Sequence, residues 1–240
     1  MSIHHLIIRG MLVGIVAGLL AFGFAKVFGE PQVDRAIAFE ASGAKGEAPE
    51  TALVSREVQA SLGLLTGVVV YGSALGGLFA IAFAFCYGRF TALSVKSLAA
   101  VIALLGFIAV YVVPYLKYPA NPPSVGEAAT IGMRTGLYFS MIAISLIAMV
   151  AAFSLKRLSE TRLGCWNATV MGAVAFLILI GIAQFALPSL NEVPAEFPAS
   201  TLWQFRLASL GIQAVLWAVI GLLFGELTDR SLHRRTAQAA

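Results

Sequence analysis

The chain has 240 residues, of which 59% are hydrophobic and only 12% are charged, and its formal net charge is +4. Soluble domains carry about 25% charged residues, so this composition excludes a soluble globular protein and indicates an integral membrane protein. The 16 basic residues are dispersed at the ends of apolar stretches instead of gathered on one surface, which argues against a nucleic-acid-binding protein.

Six apolar stretches are each long enough to cross a bilayer, whose hydrocarbon core of about 30 Å needs about 20 helical residues. In chain order they are 7–28, 62–86, 98–116, 135–155, 165–187 and 207–227. They take up more than half of the chain and leave no room for a second folded domain. We therefore predict an all-α fold in one domain, residues 1–240: a polytopic membrane helical bundle of about six transmembrane helices.

The only sizeable connection, residues 29–60, joins the first two stretches. Pro31 suits the opening position of a helix, so the sequence predicts a short helix through Glu40 in an extracytoplasmic loop. Two later connections, which begin at Pro114 and Pro188, share a Pro-x-Leu pattern followed by Pro-Ala. Either the chain repeats a helical hairpin three times, or proline occurs independently at two helix ends.

The distribution of basic residues predicts the orientation. With a cytoplasmic N-terminus, nine basic and three acidic side chains lie on the cytoplasmic side, against seven basic and nine acidic on the other. Because cytoplasmic loops are enriched in Lys and Arg, both termini are predicted to be cytoplasmic. Cys86 and Cys165 then lie at cytoplasmic helix ends, where a structural disulfide is not expected.

Glycines four residues apart recur along the apolar stretches. They are Gly10, Gly14 and Gly18, then Gly63 with Gly67, Gly72 with Gly76, Gly132 with Gly136, and Gly221 with Gly225. In lipid, helices associate through the close approach that such small residues allow. The pattern predicts a compact bundle or contact with a partner helix, a second copy of the chain included, and does not choose between them.

The common catalytic signatures are missing. The sequence has no Gly-x-x-x-x-Gly-Lys-Ser/Thr loop, no Gly-x-Gly-x-x-Gly turn, no His-Glu-x-x-His pair, no Gly-x-Ser-x-Gly elbow and no Cys-x-x-Cys pair. We therefore predict a protein that is not an enzyme and has neither catalytic residues nor a bound cofactor. An ATP-driven step would need another subunit.

Polar residues near and within the apolar stretches are candidates for a transport path. Arg134 and Met141 are seven residues apart, as are Arg206 and Gln213, so each pair shares one helix face. Either these pairs line a path, or the arginines reach for lipid headgroups while Met141 and Gln213 pack against neighbours. The full set of pathway candidates is Arg56, Glu57, Asn121, Arg134, Met141, Gln184, Arg206 and Gln213.

Two groups of side chains are candidates for metal binding. His4 and His5 lie on the predicted cytoplasmic side, where neutral imidazoles bind transition metals, although neighbouring side chains on a helix diverge by about 100°. The predicted outer carboxylates Glu30, Asp34 and Glu40 attract divalent cations by their charge. Interfacial anchoring of the histidines and an ordinary solvated acidic face are the alternatives.

Five segments spread over the whole length carry a family likeness: 14–40, 54–67, 117–127, 134–139 and 203–217, the third reading KYPANPPSVGE and the last WQFRLASLGIQAVLW. In this pattern the chain resembles CbtA, the predicted membrane subunit of a bacterial cobalt transporter. The resemblance implies Co²⁺ uptake linked to cobalamin synthesis across the bacterial inner membrane. It also implies a small single-span partner with a histidine-rich tail, CbtB, and a count of about five spans.

The sequence leaves three functions open, and each makes a different demand on the structure. A metal permease subunit requires that several polar candidates surround one cavity that faces the predicted outer side, drawn from Glu30, Asp34, Glu57, Asn121, Arg134, Arg206 and Gln213. A permease for an anionic or organic solute requires that the three outer arginines converge without a carboxylate. A non-transporting scaffold requires helices packed without a polar cavity.

Overall fold

The computed structural model of the protein describes residues 2–43, 54–89 and 93–239, with side chains as far as residue 233. Across these ranges the chain forms helices and no strand. Five helical stretches make up the fold: α1 (Ile3–Gly43), α2 (Arg56–Cys86), α3 (Val95–Lys117), α4 (Ala128–Ala186) and α5 (Ala199–Ala239). Each contains a window long and apolar enough to cross a membrane. The predicted all-α membrane class is confirmed, whereas the count of six, the location of the termini and the hairpin repeat are not.

The difference between six predicted and five observed stretches lies in α4. Its 59 residues would be about 88 Å long if straight, at 1.5 Å per residue, far more than one crossing needs. The helix breaks at Gly164, whose φ of 75° and ψ of 163° are non-helical. A Cβ on Gly172 would lie 2.9 Å from the carbonyl oxygen of Ala152, so the arms 131–163 and 165–186 pack side by side. The predicted stretches 135–155 and 165–187 fall on these two arms.

Helix α1 continues beyond the first predicted stretch. Its α-helix Ile3–Phe24 passes into the π-helical segment Ala25–Gly29 and then into the α-helix Glu30–Gly43. The predicted short helix after Pro31 is thus a continuation of the first helix. Residues 44–53 of the predicted 29–60 loop lie outside the described residues, and its extracytoplasmic location stays a prediction.

The chain divides into two compact units. Unit 1 comprises Met1–Phe107, Pro122–Ser124 and Pro198–Ala240, and unit 2 comprises Ile108–Asn121 and Val125–Phe197. The boundary falls within α3, at the start of the π-helical segment Phe107–Val112. The single domain predicted from the sequence stays a prediction.

In unit 1, α1 and α2 cross in direct backbone contact through four glycines. A Cβ on Gly14 would lie 2.1 Å from the carbonyl oxygen of Gly72, and one on Gly76 would lie 2.1 Å from that of Gly10. Because no side chain separates the two backbones, the helices approach as closely as the small-residue pattern permits. By contrast, a Cβ on Gly67 would meet nothing within 4 Å.

Helix α5 packs on α3 and α1 within the same unit. Gly221 faces Ala103, and the ring of Trp217 covers Gly106. The buried ring of Phe224 meets Phe79 and Phe83 edge-on, with centroids 5.2 and 5.1 Å apart. These contacts hold α5 against α2 and α3.

Candidate functional site

Three charged side chains, Glu30, Asp34 and Arg56, form the Glu30 cluster in unit 1. Arg56 Nη2 pairs with Glu30 Oε2 and also lies 2.9 Å from Asp34 Oδ1. Glu30 and Asp34 are four residues apart and project from one face of α1, while Ser55 caps α2 by accepting from the N–H of Val58. The Glu30 side chain is only 11% exposed, against 64% for Asp34. With two carboxylates and one guanidinium, the cluster carries one net negative charge.

Further polar contacts link the helix ends around this cluster. Arg35 Nη1 donates to Oε1 of Gln32 at 3.0 Å and to Oε1 of Gln204 at 2.8 Å, which ties α1 to α5. Lys26 Nζ donates to the carbonyl oxygen of Ala60 at 3.0 Å. Lys26 and Ala60 both belong to π-helical segments, where the backbone hydrogen-bond ladder is altered, so the lysine links two irregular turns.

The other acidic candidates of this unit lie near the cluster in sequence. The hydroxyl oxygen of Ser124 lies 3.2 Å from both the carbonyl oxygen of Ala36 and Glu40 Oε2, and its one hydrogen is shared between these acceptors. Glu57 is exposed and follows Arg56 at the start of α2. Glu40 and Glu57 therefore lie on the same two helices as Glu30 and Arg56, and the ion pairs of the Glu30 cluster do not include them.

Neither predicted metal group forms a closed coordination sphere. Over the ranges that the structure covers, no three His, Cys, Asp or Glu side chains are grouped to hold a metal ion. The His4 and His5 rings lie edge-on with centroids 5.8 Å apart, and His5 Nδ1 bonds the hydroxyl group of Ser2. At the Glu30 cluster, a divalent cation would have to compete with Arg56 for the carboxylates.

A groove between α2 and α5, the Gln213 groove, contains the polar residue predicted inside the last stretch. Its volume is about 340 Å³, and Gly67, Tyr71 and Gln213 are among its lining residues. Oε1 of Gln213 is buried and accepts no hydrogen bond from the described chain. The side chain of Gln213 also interacts with the hydroxyl group of Tyr71, which lines the same groove. Arg206, the predicted companion of Gln213, lies two turns earlier on α5 and is partly buried.

In unit 2, Arg134 belongs to an ion pair that the sequence did not indicate. Arg134 Nη2 donates to the carbonyl oxygen of Glu127 at 3.2 Å, and its Nε lies 3.5 Å from Glu192 Oε2. The backbone N–H of Glu127 donates to Glu192 at 2.9 Å. This bond, together with the Thr130 hydroxyl group and the charge of Arg134, lowers the pKa of the Glu192 carboxyl. Gly126 has a φ of 109°, which residues with a Cβ rarely adopt, so a glycine is favoured there, and the guanidinium of Arg134 occupies the space where a Cβ would lie.

Gln184 is engaged with the backbone of unit 2. The side-chain Nε2 of Gln184 donates to the carbonyl oxygen of Val113 at 3.2 Å. The backbone carbonyl oxygen of Gln184 accepts from Lys117 Nζ at 2.6 Å. Met141 is fully buried and packs in a cluster with Val113, Ala148, Ile180 and Ala183. Asn121 also has an interaction partner. The polar candidates of this unit thus stabilise it, whatever further role they have.

The structure brings together some predicted residues and separates others. Glu30, Asp34 and Arg56 meet, and Arg206 and Gln213 share α5, whereas Asn121, Arg134, Met141 and Gln184 belong to unit 2. Sequence reasoning missed Glu192 and Lys26 as partners. The only available signal for them was charge beside an apolar stretch, which does not identify a partner.

The comparisons with known proteins are consistent with these observations. No curated protein and no solved structure matches the chain. The family model of CbtA, described as a probable cobalt transporter subunit, matches residues 3–229. The match includes at least part of all five apolar helices, as expected of a multi-pass membrane protein, and the word subunit implies further chains. The resemblance seen in the sequence is therefore confirmed: the chain belongs to the CbtA family of probable cobalt transporter subunits.

Proposed function

We propose that this chain forms the membrane path for Co²⁺ uptake linked to cobalamin synthesis in the bacterial inner membrane. The observation that carries the proposal is the family match over residues 3–229, on a chain whose five helical stretches can each span a membrane. A small single-span partner with a histidine-rich tail, CbtB, would capture the ion, because among the described residues no closed metal site is found.

The Glu30 cluster is the proposed entry point for the cation. Carboxylates are acceptable ligands for divalent first-row metals, and the low exposure of Glu30 reduces screening of its charge by salt. Arg56 occupies the carboxylates in the absence of an ion. Its competition keeps binding weak, and a conducting site requires binding that is weak enough for the ion to leave.

Charge pairing disfavours an anionic solute. That function required outer arginines that converge without carboxylates. Arg56 is paired with Glu30 and Asp34, and Arg134 with Glu192, each within its own unit. Their positive charges are therefore largely compensated locally, which supports the cation over the anion.

The direct test is uptake of radioactive cobalt by cells that lack other cobalt importers, with the chain expressed alone and with the histidine-rich partner. Uptake above the empty vector, competed poorly by Mg²⁺, supports the proposal. The Glu30→Gln and Asp34→Asn double variant should lower uptake about tenfold if each lost carboxylate weakens ion binding by about 0.7 kcal/mol, a total near 1.4 kcal/mol. Glu160→Gln is the matched control, since Glu160 pairs with Lys156 one turn away on α4. No uptake in either strain, with the protein present in the membrane, would refute a cobalt path.

We further propose six crossings with both termini in the cytoplasm, each arm of α4 crossing once. The non-helical Gly164 and the packing of Gly172 on Ala152 support this topology. Cys165 should react with a membrane-impermeant thiol reagent only in permeabilised cells. Ser189→Cys, in a chain whose native cysteines are replaced by serine, should react in intact cells. Labelling of both positions from the same side would contradict the two crossings.

A further inference from the structure

A second groove, the Arg9 groove, lies between the first half of α1 and the last part of α5, both in unit 1. Its volume is about 680 Å³, within the range of about 300–1,000 Å³ that is usual for ligand sites. The lining residues are His5, Ile8, Arg9, Leu12, Val13, Val16, Leu223, Leu227, Arg230 and Ser231. None of them belongs to the Glu30 cluster or the Gln213 groove.

One end of the Arg9 groove is cationic. Arg9 Nη1 donates to Oγ1 of the fully buried Thr228 at 3.1 Å, which fixes the guanidinium of α1 against α5. Arg230, two residues further along α5, forms an ion pair with Glu226, its Nε 2.6 Å from Oε1, and Glu226 also pairs with Lys96 at 2.6 Å. Because Lys96 also lies 3.5 Å from Asp229, the three basic groups Arg9, Lys96 and Arg230 face two carboxylates, and this end keeps one net positive charge. A guanidinium has five N–H donors, so the bond from one nitrogen of Arg230 leaves others directed elsewhere. His5 and Ser231 add polar groups at the same end.

The remaining wall of the groove is apolar. Ile8, Leu12 and Val16 follow one another at four-residue intervals on α1, and Leu227 of α5 faces the same space. All four side chains are exposed in the chain. On a helix that spans a membrane, exposed apolar side chains contact acyl chains. The groove therefore has the polarity of a phospholipid, with positive charge at one end and hydrocarbon-compatible surface along its length.

We propose that the Arg9 groove binds an anionic phospholipid. Its phosphate lies between Arg9 and Arg230, and one acyl chain lies along Leu12 and Val16. Two guanidinium groups recognise phosphate oxygens by charge-assisted hydrogen bonds, and basic pockets between transmembrane helices are known to select anionic headgroups. A free phosphate ion would leave the apolar wall uncovered, so the charge and the wall together fit a lipid. The bound lipid would link α1 to α5.

The test is lipid binding to the purified, full-length protein, measured by native mass spectrometry during titration with phosphatidylglycerol or phosphatidylethanolamine. We expect tighter binding of phosphatidylglycerol. Each guanidinium near an anionic headgroup contributes about fivefold in affinity, so the Arg9→Gln and Arg230→Gln double variant should lose about 25-fold. Glutamine at position 9 keeps a donor for Thr228 and protects the fold. Arg89→Gln removes the same charge outside the groove and should have no effect.

A second variant tests the apolar wall without changing charge. Val16→Trp fills the groove beside Leu12 and should weaken phosphatidylglycerol binding at least fivefold, whereas Leu19→Trp, an exposed position of α1 outside the groove, should not. Glycerol phosphate should fail to compete. Equal binding of the two lipids, equal losses for Arg89→Gln and the double variant, or unchanged binding by Val16→Trp would each overturn the proposal. Competition by glycerol phosphate at equal concentration would overturn it in favour of a phosphate site.

Discussion

Replacing Gly14 with alanine should destabilise the crossing of α1 and α2. The added Cβ would lie 2.1 Å from the carbonyl oxygen of Gly72, whereas ordinary contact begins at 3.4 Å, so the backbones must separate by about 1.3 Å. Gaps of about 0.5–1 Å already forfeit a quarter to a half of the dispersion energy of the contacts involved. Overpacking costs about 1–3 kcal/mol, and two backbones cannot relieve it by rotating a side chain. The higher helix propensity of alanine offsets about 1 kcal/mol of this cost, so we expect the free energy of unfolding to fall by about 2 kcal/mol.

The assay is reversible unfolding by sodium dodecyl sulfate in mixed micelles, followed by circular dichroism. The matched control is Gly23→Ala on the same helix, because a Cβ at that position would meet nothing within 4 Å. This control should gain up to about 1 kcal/mol. If Gly14→Ala proved as stable as Gly23→Ala, the backbone contact between the two helices would not exist in the protein.

Three further predictions concern the charged clusters and the break in α4. Arg56→Gln should lower the free energy of unfolding by about 2 kcal/mol, because Glu30 keeps its charge without a partner. This value lies between the loss of about 0.2–1 kcal/mol for an exposed ion pair and about 3–5 kcal/mol for a buried one. Adding Glu30→Gln should restore most of this loss in unfolding measurements, and equal losses for the single and double variants would contradict the pairing. The lowered pKa of Glu192 stabilises the fold above the ordinary carboxyl pKa of about 4.3, and this contribution is lost as the pH falls through the lower folded value. Unfolding temperatures from pH 6 to 3 should therefore fall less steeply for Glu192→Gln than for the native chain. Gly164→Ala should lower the free energy of unfolding by about 1–3 kcal/mol through backbone strain. Gly181→Ala should lower it by nothing in the same assay, because Gly181 is helical and a Cβ there would meet nothing within 4 Å.

The class of fold could be predicted because a bilayer requires long apolar helices, and these are visible as uninterrupted sequence. The ends of the helices could not be predicted from the same signal. The segment Glu30–Gly43 carries charges and a proline, so a short helix from Pro31 through Glu40 was predicted within a separate loop, yet the segment continues α1. A helix that leaves the membrane loses its apolar signal without losing its backbone geometry.

Glycine spacing shows the same limit. The four-residue spacing correctly singled out Gly14 and Gly72 as contact positions, but Gly132 and Gly136 have the same spacing and no neighbour within 4 Å. The spacing of glycines indicates which face of a helix carries small residues. The partner of that face depends on tertiary packing, which carries no local signal.

Ion-pair partners that are far apart in the sequence could not be predicted either. The spacing of Glu30 and Asp34 predicted a shared face, but it did not identify Arg56, 22 residues beyond Asp34, as their partner. Glu192 and Arg134 are separated by a whole helical hairpin. Charge patterns predicted which residues lie at helix ends, and only the structure shows which of them neutralise one another.

The glycine crossing of α1 and α2 limits how unit 1 can move. Sliding or hinging between two helices relies on side chains that change rotamer, and this contact has backbone on both sides. At the crossing, α1 and α2 therefore cannot slide or hinge without losing this backbone contact. Under the proposed function, a cation at Glu30 and Asp34 competes with Arg56, whose long side chain can change rotamer without movement of the helices. The proposed entry point therefore depends on the movement of one side chain of α2, beside two helices that are in direct backbone contact.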